Sequence, residues 1–176
     1  MEFEYAILDF IRNNLASDVL DYIMRAISFL GDAGFIWIVL AITLMLFKRT
    51  RVIGFTIACA LILSLIGCNT VLKPLIARVR PYELKEGIVL IINAPTDHSF
   101  PSGHTSASFA AAVALFMHSR KWGISALVLA TLIAFSRLYL YVHFPTDILG
   151  GIIIGSLCGI GAYILISRIY KKLLRK

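Results

Sequence analysis

This sequence is short of charge. Only 15% of its 176 residues are Asp, Glu, Lys or Arg, against about 25% in ordinary soluble domains. With 59% apolar residues and a mean hydropathy of +0.86, a water-soluble fold of this size would expose large sticky patches. Lipid is therefore the expected solvent for most of the chain. The length excludes a multidomain enzyme, a transporter with duplicated halves and a repeat solenoid. Cysteine is nearly absent: Cys59, Cys68 and Cys158 all lie in apolar runs without Cys-x-x-Cys spacing, so inert buried thiols are expected rather than a disulfide or metal framework. Basic residues are missing from the start, Met1-Glu2-Phe3-Glu4, so no cleavable leader is expected and the first span acts as the insertion signal.

Five runs are apolar enough to cross about 30 Å of hydrocarbon: residues 31–47, 52–73, 103–119, 122–142 and 147–168. The pattern predicts an all-α, polytopic membrane helical bundle. Residues 1–30 differ. Phe3, Ile7, Phe10, Ile11, Leu15, Leu20, Ile23, Met24, Ile27 and Leu30 recur at helical spacing, interrupted by Glu2, Asp9, Arg12, Asp18, Asp21 and Arg25. This predicts two amphipathic helices, broken near Asn14–Ser17 with Ser17 as N-cap. Residues 18–30 either lie in the interface, the favoured reading, or form a sixth span. The small-residue ladders Gly151/Gly155/Gly159 and Gly103/Ala107/Ala111 point to close helix packing, with dimerisation as the alternative.

The net charge of +7 is distributed by position. Lys48, Arg49, Arg51, Arg120, Lys121, Arg168, Lys171, Lys172, Arg175 and Lys176 sit between apolar runs or close the chain. That is the pattern of cytoplasmic loops meeting anionic headgroups, not of a nucleic-acid surface. It orients a multi-pass chain, expected in the cell inner (cytoplasmic) membrane, with residues 74–102 and 143–146 on the extracytoplasmic side.

Three polar clusters gather at that outer side. The first is Lys73 with Arg80 and Pro81. Seven residues is two helical turns, so both cations share a face if the helix continues, while Pro74 is expected to kink it and Pro81 to end it at Arg80. The second, Phe100-Pro101-Ser102-Gly103-His104, opens an apolar helix with Ser102 as N-cap, presenting free N–H groups to an anion beside a histidine. The third is Ser136-Arg137, His143 and Asp147, with Pro145 starting the last helix. A carboxylate four residues from an imidazole can hold its Nδ1–H and leave Nε2 as a lone pair. Taken singly, Lys73, Arg80 and Arg137 read as snorkelling anchors; together with their neighbours they read as a site. Three cations, a hydroxyl and helix N-terminal amides suit a phosphate, and two histidines suit nucleophile and acid. Five of the ten acids lie in residues 1–21 and only Asp147 joins a cluster, so no metal site and no cofactor are expected.

Lys-x6-Arg-Pro at 73–81, Pro-Ser-Gly-His at 101–104 and Ser-Arg-x5-His-x3-Asp at 136–147 resemble the three signatures of the phosphatidic acid phosphatase type 2 superfamily, which includes membrane lipid phosphatases and soluble haloperoxidases. Composition excludes the soluble branch. Many members carry a further N-terminal span where this chain has amphipathic helices. The resemblance implies a transmembrane phosphatase domain over 31–176 after the N-terminal helices of 1–30. It implies His143 as the nucleophile that becomes phosphohistidine, Asp147 as its orienting group and His104 as acid to the leaving oxygen. Lys73, Arg80, Ser102, Gly103 and Arg137 would bind the phosphate. The implied partners are a lipid phosphate or diphosphate and the bilayer, with no obligatory protein partner. The chain looks most like bacterial enzymes acting on undecaprenyl diphosphate in cell-wall carrier recycling. Phosphatidylglycerophosphate or phosphatidic acid hydrolysis is the runner-up. An anion-binding transporter or channel is the alternative of another class, opposed by the absence of an inverted repeat.

Overall fold

The amphipathic period of the first 30 residues becomes two helices, α1 (Glu2–Leu15) and α2 (Asp18–Leu30), in a computed structural model that describes residues 1–174. Arg175 and Lys176, the last two cations of the expected basic tail, lie outside the described residues. Ser17 caps α2 by accepting from the Leu20 amide at 3.3 Å, as its hydroxyl at that position favours. A single 3₁₀ turn (Asp32–Gly34), left-handed at Ala33 and Gly34, then leads into α3 (Phe35–Leu46).

α4 (Arg51–Ser64) continues through a π-helical stretch (Leu65–Leu72) into the short α5 (Lys73–Ile76). Pro74 explains the change of pitch. It has no N–H, and in an α-helix its ring would strike the carbonyl four residues back. The wider turn, in which the Lys73 amide reaches the Cys68 carbonyl, accommodates it. The kink expected at Pro74 is thus spread over the two turns before it. α6 (Pro81–Leu84), α7 (Gly103–His118), α8 (Arg120–Tyr139) and α9 (Pro145–Leu174) complete the all-helical architecture, with no strand among the described residues.

α7 is the axis, packed against α9, α8 and α4. Half of it is buried, mostly as Ala, Ser and Thr. Its buried hydroxyls find partners: Ser108 accepts from Trp37 Nε1 at 2.9 Å, and Ser106 lies 2.7 Å from Ser64 Oγ. The glycine ladder of α9 faces α7. A Cβ at Gly155 would stand 2.3 Å from the Ser106 carbonyl oxygen, and one at Gly159 2.7 Å from that of Ala110. Close packing within the chain accounts for the ladder.

Among the described residues, three helical segments are long and apolar enough to cross a membrane: Arg51–Leu84, Arg120–Tyr139 and Pro145–Leu173. A fourth candidate is the pair Asp18–Leu30 and Asp32–Leu46, bent by 46°. α7, with 16 residues, is about 24 Å long and lies wrapped by its neighbours. Lys48, Arg49, Arg51, Arg120 and Lys121 collect at one end of the bundle, where Thr56 meets His118 at 2.9 Å. All three signature segments collect at the other.

Candidate functional site

Lys73 and Arg80 meet, but not by helical periodicity. α5 stops at Ala77, whose left-handed backbone (φ 47) turns the chain, and Pro81 holds Arg80 extended (φ −81, ψ 153). The two cations converge on one carboxylate instead. Asp97 accepts from Lys73 Nζ through Oδ2 and from Arg80 Nη2 through Oδ1, the latter at 2.6 Å. Burial opposes ionisation of Asp97, yet Lys73 and Arg80 hold its carboxyl down at about 2. Arg80 also donates to the Asp97 and Val142 carbonyls at 2.8 and 2.6 Å, with Nη1 3.3 Å from His143 Nε2.

His143 stands in the turn between α8 and α9. Tyr141 is left-handed there (φ 61), a strained state for a non-glycine residue, fixed by burial and by its phenol donating to Asp9 at 2.7 Å. Pro145 begins α9, and Asp147 two residues later accepts the Phe144 amide at 2.8 Å, which is half of a capping box. The same oxygen lies 3.5 Å from His143 Nδ1, close enough to orient the ring though longer than a formed hydrogen bond. Arginine can only donate, so its neighbour Nε2 is assigned the lone pair and Nδ1 the proton. Full burial lowers the basicity of His143, Asp147 raises it, and Arg80 and Arg137 lower it further; the net shift is well below the ordinary value, and the ring is neutral at pH 7.

Ser102 caps α7 through the Thr105 amide at 3.4 Å, and its own amide donates to the Asp147 carbonyl at 3.1 Å, tying the starts of α7 and α9 together. Gly103 is required by closeness: a Cβ would fall 2.9 Å from Asn69 Oδ1 in the π stretch. His104 has the opposite assignment to His143. Its Nε2 is 2.6 Å from Asp32 Oδ1, and a carboxylate only accepts, so that nitrogen carries the proton. Arg137 donates through Nη1 to Ser28 Oγ of α2, while its buried Nε has no partner.

These groups surround a basin of about 1220 Å³ lined by Lys73, Arg80, Gly103, His104, Arg137 and His143. Ser102 and Asp147 are buried behind the wall, the first as a cap and the second behind His143. Ser136, which shares a signature with Arg137, turns back to the Ile133 carbonyl of its own helix at 2.7 Å. An apolar cleft of about 620 Å³ opens beside the basin between α3, α4 and α7, sharing Lys73, Asp97, Gly103 and His104 with it. Residues that sequence reasoning did not single out complete the site: Asp97, Asp32 and Ser28 at the rim, and Arg78, Ser99 and Glu4 behind Asp147. The signal for Arg78 was a third cation beside Arg80, and for Asp97 an acid in the outer segment.

Residues 51–171 match the PAP2 superfamily. The chain belongs to that superfamily. This PAP2 chain is 36% identical over 123 residues to an undecaprenyl-diphosphatase of Sulfolobus acidocaldarius, covering 69% of the chain and 59% of that protein. It is 37% identical over 140 residues to the putative undecaprenyl-diphosphatase YbjG of Escherichia coli, covering 78% and 70%. Its fold is similar to the crystal structure of the first transmembrane PAP2-type phosphatidylglycerolphosphate phosphatase from Bacillus subtilis, with TM-score 0.76, 25% identity and coverage of 97% and 86%. The PAP2 chain is a multi-pass membrane protein whose three signatures meet in one basin.

Proposed function

We propose that this protein is a membrane lipid phosphatase that cleaves undecaprenyl diphosphate to undecaprenyl phosphate and phosphate through a phosphohistidine at His143. The observation that carries this reading is the junction of the two cavities. A basin lined by Lys73, Arg80 and Arg137, with Arg25 as a fourth cation on its wall, meets an apolar cleft, the shape of a phosphorylated headgroup joined to a hydrocarbon chain. Of the two histidines only His104 lines both cavities. A chain lying in the cleft directs the leaving oxygen to His104 and leaves the opposite face of phosphorus to His143. The Nε2 lone pair of His143 forms the N–P bond as the P–O bond to the leaving group breaks, and the His104 proton moves to that oxygen. His104, now neutral, takes a proton from water as water attacks the phosphohistidine, releasing phosphate and restoring both rings. Lys73, Arg80, Arg137 and the amides at Gly103 hold the phosphoryl oxygens, with Ser102 acting through the helix start it caps and Asp147 orienting His143.

The names of the Sulfolobus and Escherichia relatives support a polyprenyl diphosphate as substrate; phosphatidylglycerophosphate or phosphatidate is the second reading, supported by the name of the Bacillus structure. A panel of these three substrates with purified protein separates them by kcat/KM. If none releases phosphate, the enzyme reading falls and an anion transporter takes its place.

No divalent metal is required in this mechanism. The carboxylates at the site are engaged, Asp97 and Asp147 by cations and Asp32 by His104. Activity is expected to persist in EDTA, and vanadate to inhibit competitively because its trigonal-bipyramidal form mimics the transition state. Loss of activity on chelation, restored by Mg²⁺, refutes this.

The membrane arrangement proposed is five spans, 31–47, 52–73, 103–119, 122–142 and 147–168, in the inner membrane, with residues 1–30 as a separate amphipathic element at the outer surface. The site then opens to the extracytoplasmic face, where a lipid enters sideways. In a variant lacking native cysteines, Glu86→Cys is expected to react with an impermeant thiol reagent in intact cells and Lys121→Cys to remain unlabelled. The reverse pattern overturns the orientation and the cell-wall role together.

A further inference from the structure

Arg78 does not line the basin, yet both terminal nitrogens of its guanidinium are engaged. Nη1 donates to Asp147 Oδ1 at 2.6 Å and to Thr146 Oγ1 at 2.7 Å, and Nη2 donates to Glu4 Oε2 at 2.7 Å. Its Cζ lies 4.1 Å from the Phe144 ring centre, a cation–π contact. The Thr146 hydroxyl passes the line on by donating to Glu4 Oε1 at 2.5 Å. The Arg78 carbonyl accepts the Ser99 amide at 2.8 Å, and the Ser99 hydroxyl donates to Asp147 Oδ2 at 2.5 Å. The segments at 78 and 99 therefore close on the Asp147 carboxylate beside its own turn, and α1 joins them through Glu4 on Arg78 and Thr146.

Asp147 is wholly buried, and a buried carboxylate is tolerated only when its oxygens are matched by donors. Oδ2 has Ser99 and the Phe144 amide, and it is the oxygen that faces His143 Nδ1. Oδ1 has Arg78. Removing that cation leaves one oxygen bare, and the carboxylate can regain a partner only by rotating or by taking up a proton. Either change takes Oδ2 away from the imidazole as an acceptor. Glu4 in turn supplies the countercharge that keeps Arg78 in place, although it lies on α1, an element with no part in the three signatures.

We propose that Arg78 is a positioning residue that fixes Asp147 against His143, and that Glu4 of the N-terminal helix is the outer member of the same line. The proposal rests on the reading of His143 as nucleophile. A salt bridge that only ties α1 to the bundle would lower stability without altering the chemical step, so the two roles separate in kinetics.

The test uses the full-length protein in detergent with polyprenyl diphosphate labelled at its terminal phosphate, measuring steady-state rates and, after alkaline quench, formation of labelled His143. By analogy with groups that orient metal-bound histidines, Arg78→Gln is expected to lower kcat and the labelling rate ~10–100-fold, with KM nearly unchanged. Arg78→Lys recovers part of the loss, since an ammonium reaches Asp147 without the fork that also holds Glu4. Added guanidinium chloride at low millimolar concentration accelerates Arg78→Gly and not the wild type. Glu4→Gln slows labelling by a smaller factor, and adds nothing in the Arg78→Gln background because it acts through Arg78. A lowered Tm with an unchanged labelling rate per folded molecule overturns the proposal, and so does a change confined to KM. Full additivity of Glu4→Gln overturns the part assigned to α1. Wild-type turnover without any label on His143 instead refutes the nucleophile reading.

Discussion

His143→Ala is expected to eliminate the phosphoenzyme and reduce kcat by on the order of 10⁶, the scale seen when a covalent nucleophile is removed. His104→Ala is expected to fail in a different manner. It slows formation of the intermediate most for a lipid monoester, whose alkoxide must be protonated as it leaves, and far less for a diphosphate, whose leaving group is a stable phosphate monoester. The contrast follows from the ring assignments: the His143 lone pair faces Arg80, and the His104 proton faces Asp32. One ring must be neutral and the other protonated, which gives a bell-shaped profile whose limbs belong to the coupled site. The burial that lowers His143 puts the acid limb of kcat/KM below the ordinary histidine value of about 6.5. The same shift gives the sign of a stability effect. The unfolded ring takes up a proton near that pH and the folded ring does not, so stability falls as pH drops through it. Labelling on residue 104, or label retained in His143→Ala, reverses the two roles.

Arg137→Lys is the second large effect. By analogy with a lost oxyanion donor, about 2.7–4 kcal/mol of transition-state stabilisation should disappear, or ~10²–10³ in kcat. Arg137 is the cleaner probe of the two arginines. Arg80 also bonds the Asp97 and Val142 carbonyls, so its removal disturbs the turn that carries His143. Arg137 instead holds only Ser28 through one nitrogen, and its Nε is buried without a partner. Lysine reaches the site as a point charge and cannot donate in a fork. A rise in KM with kcat intact shows ground-state binding alone and refutes the role given to this residue.

The helical bundle and the end of it that carries the site were legible because lipid leaves few alternatives. A long apolar run must satisfy its own backbone, and a polar residue inside it needs a reason. Caps were legible for a similar local reason: Ser17, Ser102 and Pro145 act within a turn of where they sit. The convergence of Lys73 and Arg80 was expected from a two-turn spacing, and the structure reaches it by another route, through Ala77 and an extended Arg80. Partners at long range were not legible. Asp97 serves cations 17 and 24 residues away, Asp32 serves His104 at 72, and Glu4 serves Arg78 at 74. Nothing in local periodicity joins such pairs; they depend on how the fold brings the outer segment of Asp97 over Lys73 and Arg80, the 3₁₀ turn against α7, and α1 beside α8 and α9.

The carboxylate of Asp97 between Lys73 and Arg80 changes what affinity means at this site. Neither of those two cations faces the basin as uncompensated charge, so on that side of it an arriving phosphate does not fall into an empty positive well. It trades places with an anion already attached to the chain. Binding then measures the difference between two ion pairs. The screening of each by salt largely offsets the other, and capture depends on ionic strength less than the count of cations suggests. On the way out the trade runs backward. The tethered carboxylate is always at hand, and free phosphate has to compete with it to remain.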